Sequence, residues 1–214
     1  MRIGILGSGL MGGKLGTLWA QAGHEVVFSY ARSHSKLERL AREAKGKASA
    51  GTPKEAAQGA DAVLLAVHWD NVKEVLAQAG DLTGKAILSC VLPMDSGNAG
   101  LVLGLHASGG EEIAKMLPMA RVVAAFNSIP SEVLFKAYAE RDKTPRPSLL
   151  ICGDDGGAKA LAAGLIQDLG FDAVDAGPMR LSRYLEPFGL LVGQLAYETG
   201  PSPEMSYRFD WRTA

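Results

Sequence analysis

The chain has 214 residues, is 47% hydrophobic and sets 22 basic against 23 acidic side chains, a net charge of −1. That length fits one domain with a sizeable core, and the near-neutral balance without a basic block argues against nucleic acid or an anionic membrane as a general partner. No apolar run approaches the roughly 20 residues that span a bilayer. No cleavage-site pattern follows the apolar start, so the cytoplasm is the expected location.

In chain order, "RIGIL" reads as a strand over residues 2–6. Leu15, Leu18, Trp19 and Ala22 recur at helical spacing behind it, and Gly23 ends that helix. "EVVFSY" is a second strand. Leu37, Leu40, Ala41 and Ala44 mark a second helix, with Ser35 and Glu38 spaced as a capping box. Residues 47–50 form a short third strand, and "TPKEAAQGA" a brief helix with Pro53 in its first turn.

"DAVLLAVHW" is near-continuously apolar, as expected of a parallel strand covered on both faces. Val72, Val75, Leu76 and Ala79 mark the next helix, and "KAILSCVL" and "RVVAAFN" are the fifth and sixth strands. The glycine-rich segment between them reads as a loop, with Gly97, Gly100 and Gly104 suggesting a lid. A short helix capped by Ser108 and Glu111 follows. "ERDKTPRPS" is a surface loop, "SLLICGDD" and "FDAVDAG" are further strands around a helix, and Leu181 to Leu195 lie on a last long helix.

This alternation predicts an α/β fold: a Rossmann doubly wound, mostly parallel sheet with a C-terminal helical extension. Residues 1–214 are expected to form a single NAD(P)-binding domain, with 178–214 as a C-terminal helix and tail. That helix is apolar over many turns and the tail carries Tyr207, Phe209 and Trp211, so a homodimer is expected. Cys90 and Cys152 sit in apolar strands, and their number and spacing suggest neither a disulfide framework nor a metal site.

"GSGLMG" places Gly7, Gly9 and Gly12 in G-x-G-x-x-G spacing after a strand and at the opening of a helix. In that setting the glycines allow the tight turn, the approach of a pyrophosphate and close packing of helix on sheet. The anion meets the free N–H groups of the helix N-terminus. An acid at the end of the second strand would accept from a ribose 2′-hydroxyl. Here "FSYARSHSK" offers none, and Glu25 lies at the wrong end of the strand. Arg32 can fork onto a 2′-phosphate, Ser29 and Ser33 can donate hydroxyls, and Lys36 adds a point charge. The expected cofactor is therefore NADP.

The other strand ends, "AVHW", "SCVLP" and "FNSIP", converge on the nicotinamide half. Val67 and Asn127 lie at those ends. Asn71 is placed to bond the ribose, and Leu92 and Ile129 to pack on the ring. His68 is the candidate general acid or cofactor contact, with no residue assigned firmly to catalysis. His24, His34 and His106 are placed in solvated loops. No nucleophile elbow or metal-ligand cluster is seen.

"GILGSGLMG", the basic turn, "AVHW", "SCVLP", "FNSIP", "CGDD" and "DAGPMRLSRYLEPF" occur in this order and together resemble the NADP oxidoreductases of the coenzyme F420-dependent family, which includes the cytoplasmic domains of membrane metalloreductases. The resemblance implies hydride exchange between NADPH and a deazaflavin (coenzyme F420) or a flavin such as FMN or FAD. It also implies a homodimer built on the C-terminal helices. Ser8 to Met11, Arg32, Lys36, Val67, Asn71, Leu92 and Ser131 match NADP-contacting positions of the family. The basic turn is one residue longer than usual, with Ala31 where serine is common. Asn127 stands where deazaflavin-specific members carry histidine, closer to the metalloreductase branch. The alternative reading is an NADPH-binding redox sensor without turnover. A hydroxyacid-type dehydrogenase is disfavoured, since such enzymes add a large helical domain.

Overall fold

The computed structural model describes residues 1–212. Eight strands form one sheet in the order β3-β2-β1-β4-β5-β6-β7-β8. They are β1 (Arg2–Leu6), β2 (Glu25–Ser29), β3 (Lys47–Ala50), β4 (Ala62–Leu65), β5 (Ala86–Ser89), β6 (Arg121–Ala124), β7 (Ser148–Gly153) and β8 (Asp172–Asp175). The first six run parallel. β7 runs antiparallel to β6, with Ala124 opposite Cys152, and β8 runs parallel to β7. The strand order reverses between β1 and β4, which opens a crevice at the carboxyl ends of the strands. This is the expected Rossmann-like α/β fold.

The helices are α1 (Leu10–Gln21), α2 (His34–Glu43), α3 (Pro53–Ala57), α4 (Val72–Ala79), α5 (Gly109–Met116), α6 (Leu134–Ala139), α7 (Gly156–Gln167) and α8 (Ser182–Gln194). Two apolar layers cover the two faces of the sheet. One gathers Leu15, Leu18, Trp19, Phe28, Phe126 and Phe171; the other gathers Leu6, Val63, Leu65, Val75, Ile87 and Ile113. β4 and β5 are buried along their whole length, which accounts for their unbroken apolar runs.

The structure departs from the sequence reading at four points. α6 falls in a segment given no element, because six residues make fewer than two turns and leave little period to detect. The capping box is not at Ser35: α2 starts two residues earlier behind Ser33, the Ser33 and Ser35 hydroxyls lie 3.1 Å apart, and Glu38 faces His34. His34 is therefore helical, not in a loop. His24 is not solvated either: its ring is largely covered and Nε2 meets Asp168 at 2.9 Å. The Ser108 cap does form, and a capping box not read from the sequence closes at Thr52–Glu55; each N-cap hydroxyl accepts the third backbone N–H at 3.2 Å.

α8 passes directly into a π-helical turn, Leu195–Thr199. Beyond it the tail folds back on the body. Ser148 N–H donates to Tyr207 O at 2.8 Å, and Phe209 N–H to Ser148 Oγ at 3.0 Å. The Tyr207 and Phe209 rings stack edge-on and tilted against Phe188. Trp211 stays exposed. Among the described residues no helix is long and apolar enough to cross a membrane.

Candidate functional site

The glycine loop joins β1 to α1 at the carboxyl edge of the sheet. Gly7 has φ +110°, a conformation that glycine adopts freely and L side chains rarely do. A Cβ on Gly12 would lie 1.9 Å from Gly7 O, so the first turn of α1 closes onto the loop only because no side chain intervenes. A Cβ on Gly9 would meet nothing within 4 Å. Gly9 is also the N-cap of α1 and supplies no side-chain cap, so the first-turn N–H groups face open space. Positive dipole end, uncapped donors and room for backbone approach suit a pyrophosphate. Leu10 is exposed over this opening and Met11 is partly buried beside it.

Ser8 and Ser29 are both turned inward. Ser8 Oγ donates to Ser29 O at 2.9 Å, and Ser29 Oγ donates to Ile5 O at 2.6 Å. Their hydroxyls therefore brace the loop against β2. Ser29 is fully buried, which leaves Arg32, Ser33 and Lys36 as the polar groups of the turn open to a ligand. Tyr30 brings the chain out of β2 with φ +54° and packs against the second apolar layer. Arg32 and Ser33 are exposed, Lys36 is partly so, and no carboxylate occupies Val27 to Lys36.

The second half of the site lies across β4, β5 and β6. Val67 and Leu92 are partly exposed, His68 is exposed, and Asn71 stands just before α4 with its N–H donated to His68 O at 2.9 Å and no side-chain cap bond. Cys90 gives its thiol to Leu65 O and burial pushes its pKa up to about 12, so it is inert as a nucleophile. Phe126, two residues beyond β6, has φ +64°, rare for a bulky side chain, while its ring packs edge-on against Trp19 at 5.7 Å. This bend presents Asn127. Asn127 is 6% exposed, yet neither its carboxamide oxygen nor its nitrogen has a partner among the described residues. A buried unpaired amide costs about 1–3 kcal/mol. Strain followed by an orphaned amide at a strand end is the pattern of a ligand contact. Ile129 and Ser131 are buried just beyond it.

Lys14, Glu132 and Tyr197 were not singled out from the sequence. Lys14 Nζ donates to Ser131 Oγ at 2.8 Å and lies 3.6 Å from Glu132; Ser131 Oγ donates to Glu132 Oε1, and Tyr197 Oη to Glu132 Oε2 at 2.6 Å. The chain ties α1, the loop after β6 and the π-helical turn together. Burial, then the bond to Glu132, pushes the Tyr197 pKa up to about 12. The available signal was Lys14 itself, a lone cation in the apolar opening of α1.

The glycine loop's open N-terminus, the acid-free basic turn and the orphaned Asn127 amide fit a phosphorylated nicotinamide dinucleotide. The segment after β5 does not look like a free flap. Asp95 accepts from Gly97 and Ala99, Met94 pairs with Leu101, and Val102 N–H donates to Pro93 O.

Comparison with known proteins agrees with this geometry. Residues 2–93 match the family described as NADP oxidoreductase, coenzyme F420-dependent. Metalloreductase STEAP3 of Rattus norvegicus is 26% identical over 189 residues, covering 88% of this chain; the chain spans about a third, 36%, of that relative. Among solved structures, a chain from Arthrobacter sp. FB24, whose assignment as an F420-dependent NADP-reductase is itself unproven, superposes with a TM-score of 0.86. It is 24% identical and covers 99% of this chain and 100% of its own. The hypothetical protein SMa0349 of Sinorhizobium meliloti gives 0.78 at 25% identity, over 98% and 96% of the two chains. A reductive aminase of Aspergillus terreus, solved with NADPH, gives 0.63 at 18% identity over 90% of this chain and 60% of that one. The resemblance read from the motifs is borne out by the family match over residues 2–93.

Proposed function

We propose that this chain, whose first 93 residues carry the NADP oxidoreductase coenzyme F420-dependent family model, transfers hydride between NADP(H) and a deazaflavin or flavin. The observation that carries the reading is the acid-free end of β2, where Arg32 stands exposed beside an uncapped glycine-loop helix. In this reading residues 1–214 act as one cofactor-binding domain. The α1 N–H groups hold the pyrophosphate, and Arg32, Ser33 and Lys36 hold the 2′-phosphate. Asn127 pairs with the nicotinamide carboxamide, and Val67, Asn71, Leu92, Ile129 and Ser131 line the ring and its ribose. When bound, NADPH supplies the hydride. The chain's own residues orient the two rings face to face, which is where much of the rate effect of such a reaction arises. One proton accompanies the hydride to the reduced acceptor, and the exposed His68 is the candidate to deliver it.

The exposed Tyr184, Leu191 and Leu195 on α8 and its extension suit a second copy of the chain. Sedimentation at twice 22.5 kDa supports the dimer, and a species of 22.5 kDa rejects it.

The decisive assay is anaerobic NADPH oxidation with F420, FMN, FAD and riboflavin offered separately. Reduction of at least one acceptor supports the reading. NADPH binding with no acceptor reduced favours a sensor without turnover, and absence of NADPH binding overturns both.

A further inference from the structure

A second polar cleft lies away from the glycine loop, between the end of α6, the loop 140–147, the turn before β8 and the returning tail. Its volume is about 320 Å³. Four cationic side chains line it, Lys136, Lys143, Arg146 and Arg208, against the two carboxylates Glu140 and Glu204. Lys143 is paired with Glu140 at 3.1 Å, and Arg208 with Asp210 outside the cleft. Lys136 and Arg146 are in no such pair among the described residues. Arg146 is half-buried, and its Nε is closed to solvent and donates to nothing among the described residues. The terminal nitrogens of the same guanidinium make no hydrogen bond or ion pair among the described residues, and Arg146 lines the cleft, so they are the donors left to fork onto an anion.

The walls are fixed by packing. Gly170, at φ +86°, sits so close that a Cβ would lie 2.3 Å from Ala137 O, so the turn before β8 is pressed onto the end of α6. The tail is held by Ser148 on its backbone and by Tyr207, whose hydroxyl meets Ser128 Oγ at 2.7 Å. Arg208 is thus presented by an anchored segment, and the cleft is a preformed concavity rather than a gap between loose chains.

We propose that this cleft is an oxyanion-binding site, with Arg146 as its central ligand and Lys136 as the second free cation, for a small molecule or group bearing phosphate or clustered carboxylates. A guanidinium forks onto either group with two parallel bonds. The site is independent of how the glycine loop is used.

The test is a titration of the whole, uniformly 15N-labelled protein with inorganic pyrophosphate and, separately, with citrate, followed by amide resonances. Saturable shifts are expected at Lys143, Gly170 and Ser206. Arg146→Gln should weaken the anion at least about tenfold and Lys136→Gln about threefold, as loss of one charge-assisted contact implies. Arg32→Ala should leave these shifts unchanged. A stronger response to pyrophosphate assigns the site to phosphate, and a stronger one to citrate assigns it to carboxylates; either supports it. Shifts confined to Gly7–Gly12, equal affinity in Arg146→Gln, or no saturation below about 10 mM overturn it. Dispersion of the amide spectrum reports whether Arg146→Gln is folded, and if it is not, the Lys136→Gln titration decides.

Discussion

The carboxylate of Glu186 accepts the backbone N–H of Gly110 at 2.9 Å and, through its other oxygen, that of Gly109 at the same distance. A side chain in the middle of α8 thereby caps the first turn of α5. Both glycines let the helices approach closely: a Cβ on Gly109 would press on Pro93 and Glu186, and one on Gly110 on Met179 and Ser182. Ser182 and Ser108 hydroxyls at 2.5 Å, and a two-bond pair between Arg183 and Glu111, complete the clasp. The "SRYLEPF" stretch is thus a docking motif that holds the C-terminal helix beside the segment carrying Leu92 and Pro93.

Glu186 is 1% exposed, and burial pushes its pKa up to about 7, against the opposing pull of the two glycine N–H bonds. A carboxyl raised in the folded state binds its proton more tightly there than in the unfolded chain. Stability is therefore greatest below the ordinary value of 4.5 and falls as pH rises from about 4.5 to about 7. The loss is about 3 kcal/mol at most. Denaturant midpoints across that range should decline relative to Glu186→Gln, whose side chain does not titrate. Parallel curves for the two proteins would mean that the carboxylate titrates normally.

Arg32→Ala should raise the Michaelis constant for NADPH at least tenfold and leave that for NADH nearly unchanged. Loss of a charge-assisted bond of about 1.5–3 kcal/mol corresponds to roughly 10- to 150-fold. Steady-state kinetics with each cofactor decide it, and equal losses for both would sink the NADP assignment.

Gly9→Ala and Gly12→Ala should separate binding from folding. The Gly9 Cβ meets no protein atom within 4 Å and its φ of −78° suits alanine, so the melting temperature should hold while NADPH affinity drops, since the methyl enters the pyrophosphate's space. Gly12→Ala drives a Cβ to within 1.9 Å of backbone, so it should lose both stability and binding. Calorimetric melting and NADPH titration of the two variants check the contrast.

Gly189→Ala should loosen the nicotinamide end from the far side. Its Cβ would lie 2.3 Å from Asn127 O and 3.4 Å from Leu92 Cδ2, so α8 must back away. Overpacking of this kind costs about 1–3 kcal/mol. The melting temperature should fall and the NADPH Michaelis constant rise; an unchanged Michaelis constant would mean that α8 does not position Asn127.

Much of the fold was legible because its signals are local. β1 and β3 have the bounds that their short runs predict, and Ser108 caps α5 as its spacing with Glu111 implies. Where two local signals compete, spacing alone does not choose between them. Ser33 and Ser35 are both plausible caps, and only the path out of β2 through Tyr30 selects Ser33. His24 appeared solvated because its partner, Asp168, is 144 residues away.

The sequence by itself determined the strand–helix alternation, the glycine loop and the absence of an acid after β2. Each rests on the chemistry of residues within a few positions of one another. Tertiary structure alone decided that Ser29 faces inward to Ile5 while Arg32 stays open. It alone left Asn127 buried without a partner among the described residues and joined Lys14, Ser131, Glu132 and Tyr197 into one network. Those outcomes depend on which side chains from distant elements arrive to satisfy, or fail to satisfy, a buried polar group. Spacing along the chain carries no record of that.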